Sequence, residues 1–163
     1  MKTSLDCGLA LIRADIGDLP YIAECIRGTL IPSVTPEEAE LSDLWADTTV
    51  AAALDSLSNR RMGDDVYVLT DGEDRKGMLW MGVSRDQYTA EPVGYLLGIF
   101  VSPELRGRGI GKELIGCAES WCADRGLVTM QISVGERNGA ASRLYASAGY
   151  GPRSTVLTKT LKR

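Results

Sequence analysis

A glycine-rich segment in the second half of the chain carries the residue types and spacing most suited to chemistry. It reads Val101-Ser-Pro-Glu-Leu-Arg-Gly-Arg-Gly-Ile-Gly-Lys112 and lies between a predicted strand and a predicted helix. At a helix start the backbone N–H groups lack intrahelical acceptors, and the helix dipole favours negative charge. Its glycines let an anion approach several N–H groups, and Arg106, Arg108 and Lys112 add positive charge. The segment therefore predicts a phosphate cradle.

The spacing of this segment separates three kinds of phosphate loop. A P-loop would need glycine five residues before Gly111 and serine or threonine after Lys112, where the chain has Arg106 and Glu113. A dinucleotide fingerprint would need a third glycine at position 112 or 114, and these are lysine and leucine. The alternative that the chain is a nucleotide-binding domain for ATP or NAD is therefore supported by the glycines alone.

Composition limits the chemistry that the chain can perform. A length of 163 residues predicts a single domain, residues 1–163, and 44% hydrophobic with 25% charged residues is typical of a soluble globular protein. The chain has no histidine, which excludes histidine bases and the Ser/His and Cys/His nucleophile pairs. A net charge of −4 disfavours a nucleic-acid partner and favours a cationic acceptor such as an amine.

The N-terminus and the cysteines predict a cytoplasmic protein. The first twelve residues lack the apolar run and cleavage site of a secretory signal, and no apolar stretch approaches about 18 residues, so no membrane partner is expected. The four cysteines stand singly, without a CxxC pair or a histidine to complete a zinc site. We therefore expect reduced cysteines and no metal.

Hydrophobic periodicity predicts a mixed α/β order of elements. An early strand is followed by a helix capped by Asp18, and Thr35-Pro-Glu-Glu38 forms a capping-box pattern that opens a helical stretch toward Ser58, with a bend near Thr48. An antiparallel meander, a helix ending at Gly126, a strand in parallel crossover and a last short helix follow. The predicted strands are Leu9 to Arg13, Val66 to Thr70, Met78 to Val83, Val93 to Val101, Val128 to Val134 and Val156 to Leu161.

The pattern Arg-x-x-Gly-x-Gly from Arg106 to Gly111, after a strand ending in Val-x-Pro-Glu, resembles the coenzyme A signature of the GNAT superfamily of N-acetyltransferases. The likeness continues through Asn138, Leu144-Tyr145 and Gly149-Tyr150, and covers about Val93 to Leu161. The first ninety residues agree with the family only in the order of their elements.

This resemblance implies the GNAT fold, a mixed, mostly antiparallel sheet flanked by helices. Its two central strands, here Leu97 to Val101 and Thr129 to Val134, would splay apart to hold the pantetheine arm of acetyl-CoA. Backbone at the end of the first strand would hold pantetheine and the acetyl carbonyl, the glycine-rich loop would hold the pyrophosphate, and Asn138 would bind from the far side. The implied cofactor-binding residues are Ile99, Phe100, Val101, Arg106, Gly107, Arg108, Gly109, Ile110, Gly111, Lys112 and Asn138.

The reaction that the resemblance implies is direct transfer of the acetyl group to an amine, either a small molecule or a protein amino group. Tyr145 matches the family's general acid, which protonates the departing thiolate, whereas Tyr150 is expected to anchor its helix. No base is assigned: Ser133 replaces a glutamate that some members carry, and Asp86, Glu91 and Glu136 are alternatives. The acceptor is expected near Trp45, Tyr88 and the turn from Leu30 to Thr35.

Two further expectations follow from these residues. Because Ser133 carries no carboxylate, a non-catalytic acyl-CoA sensor with the same fold is the alternative function. The terminal strand from Val156 to Leu161 would present an exposed edge, at which a second copy could pair to form a homodimer.

Overall fold

The structure is a computed structural model that describes residues 2–5, 7–39, 47–52, 55 and 63–159. Helices flank a single six-stranded sheet, and residues 47–52 are also helical. The strands are β1 (Lys2–Ser4), β2 (Ala10–Arg13), β3 (Asp65–Thr70), β4 (Arg75–Arg85), β5 (Pro92–Val101) and β6 (Met130–Ile132). The helices are α1 (Leu19–Leu30), α2 (Pro36–Ala39), α3 (Ile110–Ala123) and α4 (Gly139–Ser147).

The strands lie in the order β1 to β6, the order of the chain. The first five pair antiparallel, whereas β6 pairs parallel to β5. Helix α3 supplies the crossover that a parallel pair requires. The predicted mixed α/β class, the meander and the crossover are confirmed, and β1 is an additional strand that the sequence pattern did not reveal.

The sheet is covered on both faces, and alternate side chains of its central strands enter two separate cores. Tyr67 and Leu69 of β3 join the core beneath α3, whereas Val66 and Val68 join the core beneath α1. This alternation follows from the two-residue period of a strand. Within the part of the chain that the structure describes, no helix is long and apolar enough to cross a membrane.

The two predicted helix caps have different outcomes. Thr35 and Glu38 form the predicted capping box, since each side chain accepts a hydrogen bond from the other's backbone N–H. Asp18 occupies the predicted cap position of α1, but its side chain makes no capping hydrogen bond to this helix. Its carboxylate accepts instead from Asp15 N and from Arg75 Nε, at 3.0 and 2.6 Å.

The helical stretch predicted from Thr35 toward Ser58 is described only in part. Helix α2 and the helical residues 47–52 fall within it, and the bend predicted near Thr48 falls at the beginning of the second of these. Residues 40–46, 53–54 and 56–62 of the chain lie outside the described residues, and Trp45 is among them.

A bulge interrupts the pairing of β4 with β5 at the point where the sheet opens. Trp80 is opposite Gly98 while the next residue, Met81, is opposite Leu96, so Leu97 has no counterpart on β4. On the other side of β5, pairing with β6 ends at Leu96. Residues 97–101 therefore leave one backbone edge without a strand partner, and the predicted splay of the two strands is confirmed.

The prediction of a terminal strand from Val156 to Leu161 is wrong for its described residues, 156–159. Residues 151–159 have no regular secondary structure and are all exposed, and residues 160–161 lie outside the described part. The β-branched composition indicates a strand, but a strand also needs a partner edge, and this segment makes no backbone hydrogen bond to any described residue.

Candidate active site

The glycine-rich segment forms a concave row of backbone donors at the start of α3. Gly107 and Gly109 have φ angles of 76° and 83°, in the left-handed region that favours glycine. The N–H groups of residues 107–111 donate to no acceptor in the described part of the chain, whereas Arg106 N and Lys112 N on either side are bonded, to Pro103 O and Gly109 O. Five consecutive free donors at a helix start suit a phosphate group.

The three cations of the segment differ in their surroundings. Arg108 and Lys112 are exposed and have no ion-pair partner among the residues that the structure describes. Arg106 folds back, with Nε donating to Val101 O at 3.0 Å and its guanidinium lying 5.6 Å from the Phe100 ring centre. Arg106 thus joins the cradle to the end of β5.

The cleft beside the cradle is the opening between β5 and β6. Ile99 and Val101 pack partly buried against the core beneath α3, and Phe100 packs against the opposite core, where it contacts Gly28 of α1. The unpaired edge of residues 97–101 offers backbone donors and acceptors to a long, narrow ligand.

Helix α4 brings Tyr145 close to the cradle. A Cβ atom at Gly111 would lie 3.0 Å from Leu144 Cδ2, so the start of α3 and the middle of α4 are in contact. Tyr145 follows directly and packs against the core beneath α3, and its hydroxyl has no hydrogen-bond partner among the described residues. Burial raises the pKa of this phenol above its usual value of 10.0.

Tyr150 differs from Tyr145 although their rings are 6.3 Å apart and edge to face. Its hydroxyl donates to Glu119 Oε1 at 3.1 Å, and burial followed by the Glu119 charge raises its pKa. A phenol bonded in this way holds α4 to α3, which agrees with the anchoring role expected from the sequence.

Asn138 caps α4 and touches the opposite side of the molecule. Its Oδ1 accepts from Ala141 N at 3.1 Å, and its Nδ2 donates to Ser33 Oγ at 3.4 Å. Gly135 also lies against Ser33, because a Cβ there would come within 2.8 Å of Ser33 Cβ. The turn after α1 and the loop after β6 therefore meet above the cleft. Sequence reasoning missed this contact, since 105 positions separate Ser33 from Asn138.

The carboxylates considered as bases have distinct environments. Asp86 is buried and accepts from the backbone N–H groups of Tyr88 and Thr89, from Gln131 of β6 and from Arg153. The backbone bonds, from Thr89 first, lower its pKa to about 2. Asp86 is therefore a poor proton acceptor and a structural residue. The other two alternatives, Glu91 and Glu136, are exposed.

Comparison with known proteins agrees with this geometry. A model of the family described as "Acetyltransferase (GNAT) family" matches residues 36–150, more than half of the chain. The aminoglycoside N(6')-acetyltransferase type 1 of Salmonella typhimurium is 29% identical over 68 residues, which cover 42% of this chain and 47% of that protein. The match thus spans about half the length of that relative.

Two solved structures share the fold across almost the whole chain. A GCN5-related N-acetyltransferase from Ralstonia eutropha superposes with a TM-score of 0.77 at 22% identity, covering 94% of this chain and 98% of that one. The enzyme AAC(6')-Iy, solved with the bisubstrate analogue CoA-S-monomethyl-acetylneamine, gives a TM-score of 0.65 at 17% identity, covering 95% and 99%.

Proposed function

The chain belongs to the GNAT acetyltransferase family, and from this premise we propose that it is an N-acetyltransferase that moves the acetyl group of acetyl-CoA directly to an amine. The proposed binding residues are backbone groups of residues 99–101, the cradle from Arg106 to Lys112, and Asn138. Tyr145 is the proposed general acid.

The observation that carries this proposal is the row of five N–H groups at residues 107–111, which donate to no described residue, beside the β5 edge that has no described strand partner. A diphosphate needs several converging donors, and a pantetheine arm needs backbone groups along an extended path. Arg108 and Lys112 add charge at the same place. The donors of the cradle and of the β5 edge follow each other along the chain in the order in which a diphosphate and a pantetheine arm would need them. Any residue other than glycine at Gly107 or Gly109 would strain the backbone, because both have a positive φ.

Bound there, acetyl-CoA supplies an activated acetyl group that a neutral amine can take directly. The bond from nitrogen to the acetyl carbon forms, the bond from that carbon to sulfur breaks, and the sulfur takes a proton. Tyr145 is suited to give that proton because its hydroxyl has no partner among the described residues and its raised pKa keeps it protonated at neutral pH. The attacking nitrogen gives its surplus proton to solvent water. The Tyr145 phenolate then takes a proton from solvent, which restores the phenol.

Water is the proposed proton acceptor because Asp86 is engaged by four donors and holds its charge down to about pH 2. An acceptor that enters as a neutral amine needs no strong base in the protein. Much of the rate then comes from positioning the amine against the thioester.

The acceptor class that we propose is a small polyamine that is cationic as a whole and reacts through one uncharged amino group. The net charge of −4 attracts cations, and a relative that matches nearly half of this chain is named for its action on an aminoglycoside, a polyamine. The proposed acceptor contacts are the turn from Ile31 to Ser33, which contacts Asn138 through Ser33, and the exposed Tyr88.

The alternative is an acyl-CoA sensor without turnover, which serine instead of a carboxylate residue at position 133 would permit. Release of free thiol from acetyl-CoA, measured against a panel of mono- and polyamines, separates the two. An enzyme releases thiol in proportion to an acetylated amine that mass spectrometry identifies. A sensor binds acetyl-CoA in calorimetry and releases none, and absence of binding would refute both functions.

We also propose a cytoplasmic location and a homodimer. The location is supported by four free cysteines, two of them buried, in a chain whose described residues form no disulfide.

A further inference from the structure

The carboxylate of Asp64 lies on the face of the sheet that α1 covers. Asp64 directly precedes β3, and Val66 and Val68, two and four positions later, enter the core beneath α1. Because the side chains of a strand alternate between the two faces, Asp64 belongs to the same face as these valines. A Cβ at Gly82 of β4 would collide with Asp64 Oδ1. The carboxylate therefore extends across β4, over this glycine.

Beyond Gly82 the carboxylate comes to the bulge of β5. The same Cβ at Gly82 would lie 3.1 Å from Leu97 Cδ1, so Asp64 and the unmatched Leu97 are neighbours above one glycine. Leu97 is 46% exposed, and the β5 edge that has no described strand partner begins at this residue. Asp64 itself is half-buried. A partly exposed carboxylate thus lies at the beginning of the edge that is proposed to hold acetyl-CoA.

Tyr145 lies on the other face of the sheet. It packs against the core beneath α3, as Ile99 of β5 does, whereas Asp64 lies on the α1 face. A thioester bound along β5 would therefore have the proposed proton donor for its sulfur on one side and the Asp64 carboxylate on the other. An acceptor that binds at Asp64 would reach the acetyl carbon from the side opposite to Tyr145.

The distance along β5 decides what Asp64 can do. Two residues of a strand span roughly 7 Å, so a carboxylate beside Leu97 is remote from a thioester held at residues 99–101. A general base must lie within hydrogen-bond distance of the proton that it takes, or be joined to it by one water. A second amino group of the acceptor, about four or five carbons from the attacking one, would span this distance. A carboxylate beside that second group favours its charged form.

We propose that Asp64 binds the charged distal ammonium of a diamine or polyamine and so holds the uncharged amino group of the same molecule against the thioester. This inference rests on the proposed acetyl transfer and adds the residue that selects the acceptor. Gly82 is the positioning residue, because a Cβ at this place would occupy the position of the carboxylate.

Steady-state release of thiol with 1,4-diaminobutane and with 1-aminobutane tests the proposal, since the monoamine lacks the distal ammonium. Asp64→Asn is expected to raise KM for the diamine at least about tenfold with little change in kcat, and to change KM for the monoamine less than about twofold. Asp74→Asn is the matched control, because Asp74 is an exposed carboxylate at the other end of the β3–β4 hairpin, and it should leave both KM values unchanged. A KM for the diamine that Asp64→Asn does not change would overturn the proposal.

Two further variants separate the charge from its position. Gly82→Ala keeps the carboxylate but displaces it, so it should raise KM for the diamine as Asp64→Asn does. Asp64→Glu keeps the charge on a longer side chain, so it should still prefer diamines and shift the preference toward the shorter 1,3-diaminopropane. A residue that only stabilises the fold would not produce such a shift. An Asp64→Glu enzyme that no longer distinguishes diamines from the monoamine would contradict the proposal.

Calorimetry distinguishes a failure of this proposal from a failure of the proposed function. In the presence of coenzyme A, 1,4-diaminobutane is titrated into the unaltered protein and into Asp64→Asn. Diamine binding that depends on Asp64, in a protein that releases no thiol with any amine, would refute acetyl transfer and support the Asp64 site. Thiol release by the unaltered protein, with equal diamine affinity in the two proteins, would support acetyl transfer and refute the Asp64 site.

Discussion

Leu144 of α4 packs directly over Gly111 of α3, so the helix that carries the tyrosine hydroxyl is seated on the helix that carries the anion cradle. A methyl group at position 111 would come within 3.0 Å of Leu144 Cδ2, closer than nine in ten such contacts in proteins. The separation of the two proposed functional groups therefore depends on a glycine that lies in neither a turn nor a left-handed conformation.

Alanine at this glycine is expected to displace α4. Gly111→Ala should lower turnover with the most active amine, because Tyr145 moves with Leu144. Gly116→Ala in the same helix meets nothing within 4 Å and should stabilise the protein by about 0.5–1 kcal/mol, as alanine does in helices. Thermal unfolding and steady-state rates measure both. Equal turnover in the two variants would contradict the proposed coupling of α3 to α4.

A negative charge in the cradle is expected to weaken acetyl-CoA binding. Gly109→Asp should raise the dissociation constant at least about tenfold, because it combines a strained left-handed residue with charge repulsion at a helix start. Gly126→Asp is the matched control, since Gly126 also has a positive φ and open surroundings but lies beyond the other end of α3. Titration calorimetry measures both, and a similar loss of affinity in the two variants would argue against the cradle.

Removal of the Tyr145 hydroxyl is expected to slow acetyl transfer without weakening the binding of acetyl-CoA. Tyr145→Phe should lower kcat about 100-fold and leave the acetyl-CoA dissociation constant nearly unchanged, because the free phenol acts on the leaving sulfur. Tyr150→Phe removes a hydroxyl that is bonded to Glu119 and should change stability more than kcat. Stopped-flow release of thiol provides the rates. A Tyr145→Phe enzyme with full turnover would exclude the general-acid role.

Acid stability is expected to depend on Asp86. Its pKa is about 2 in the folded protein and 3.8 ordinarily, so its ionised form stabilises the fold above pH 3.8, and this contribution is lost as the pH falls toward 2. Asp86→Asn should therefore melt at a lower temperature than the unaltered protein at neutral pH, and the difference should shrink between pH 3.8 and 2.

Arg153→Gln tests the origin of that effect, because Arg153 contributes less to the lowered pKa than the backbone N–H groups of Thr89 and Tyr88 do. This variant should show only a small part of the pH-dependent difference. Melting curves collected from pH 2 to 7 provide the comparison. A difference for Asp86→Asn that persists unchanged down to pH 2 would mean that its cause is not the charge.

Local patterns predicted much of this fold, because they report interactions close in sequence. The Thr35–Glu38 capping box spans three residues, the strands of the meander alternate along their own length, and the cradle lies within one short segment. In each case the sequence contains both partners of the interaction within a few positions, and the structure has the expected element there.

Interactions between distant segments were beyond sequence reasoning. Asp65 binds Arg13, Trp121 and Arg125, which are 52, 56 and 60 positions away. Asp86 was one of three alternatives for the base in the sequence and is instead buried among donors from three segments. Composition favoured a strand after Tyr150, but whether a strand forms depends on an available edge, which composition does not report.

The unmatched Leu97 also reverses which side chains of β5 face each helix. Leu96, Ile99 and Val101 all enter the core beneath α3, and Phe100 enters the opposite one, so the alternation of odd and even positions changes at residue 97. Deleting this single residue would leave Ile99 opposite Leu79 and Phe100 opposite Met78, so both would keep their cores, and only the bulge would disappear. The extra residue therefore bends β5 at the point where its pairing with β6 ends, and it is not needed to place Ile99 and Phe100 in their cores.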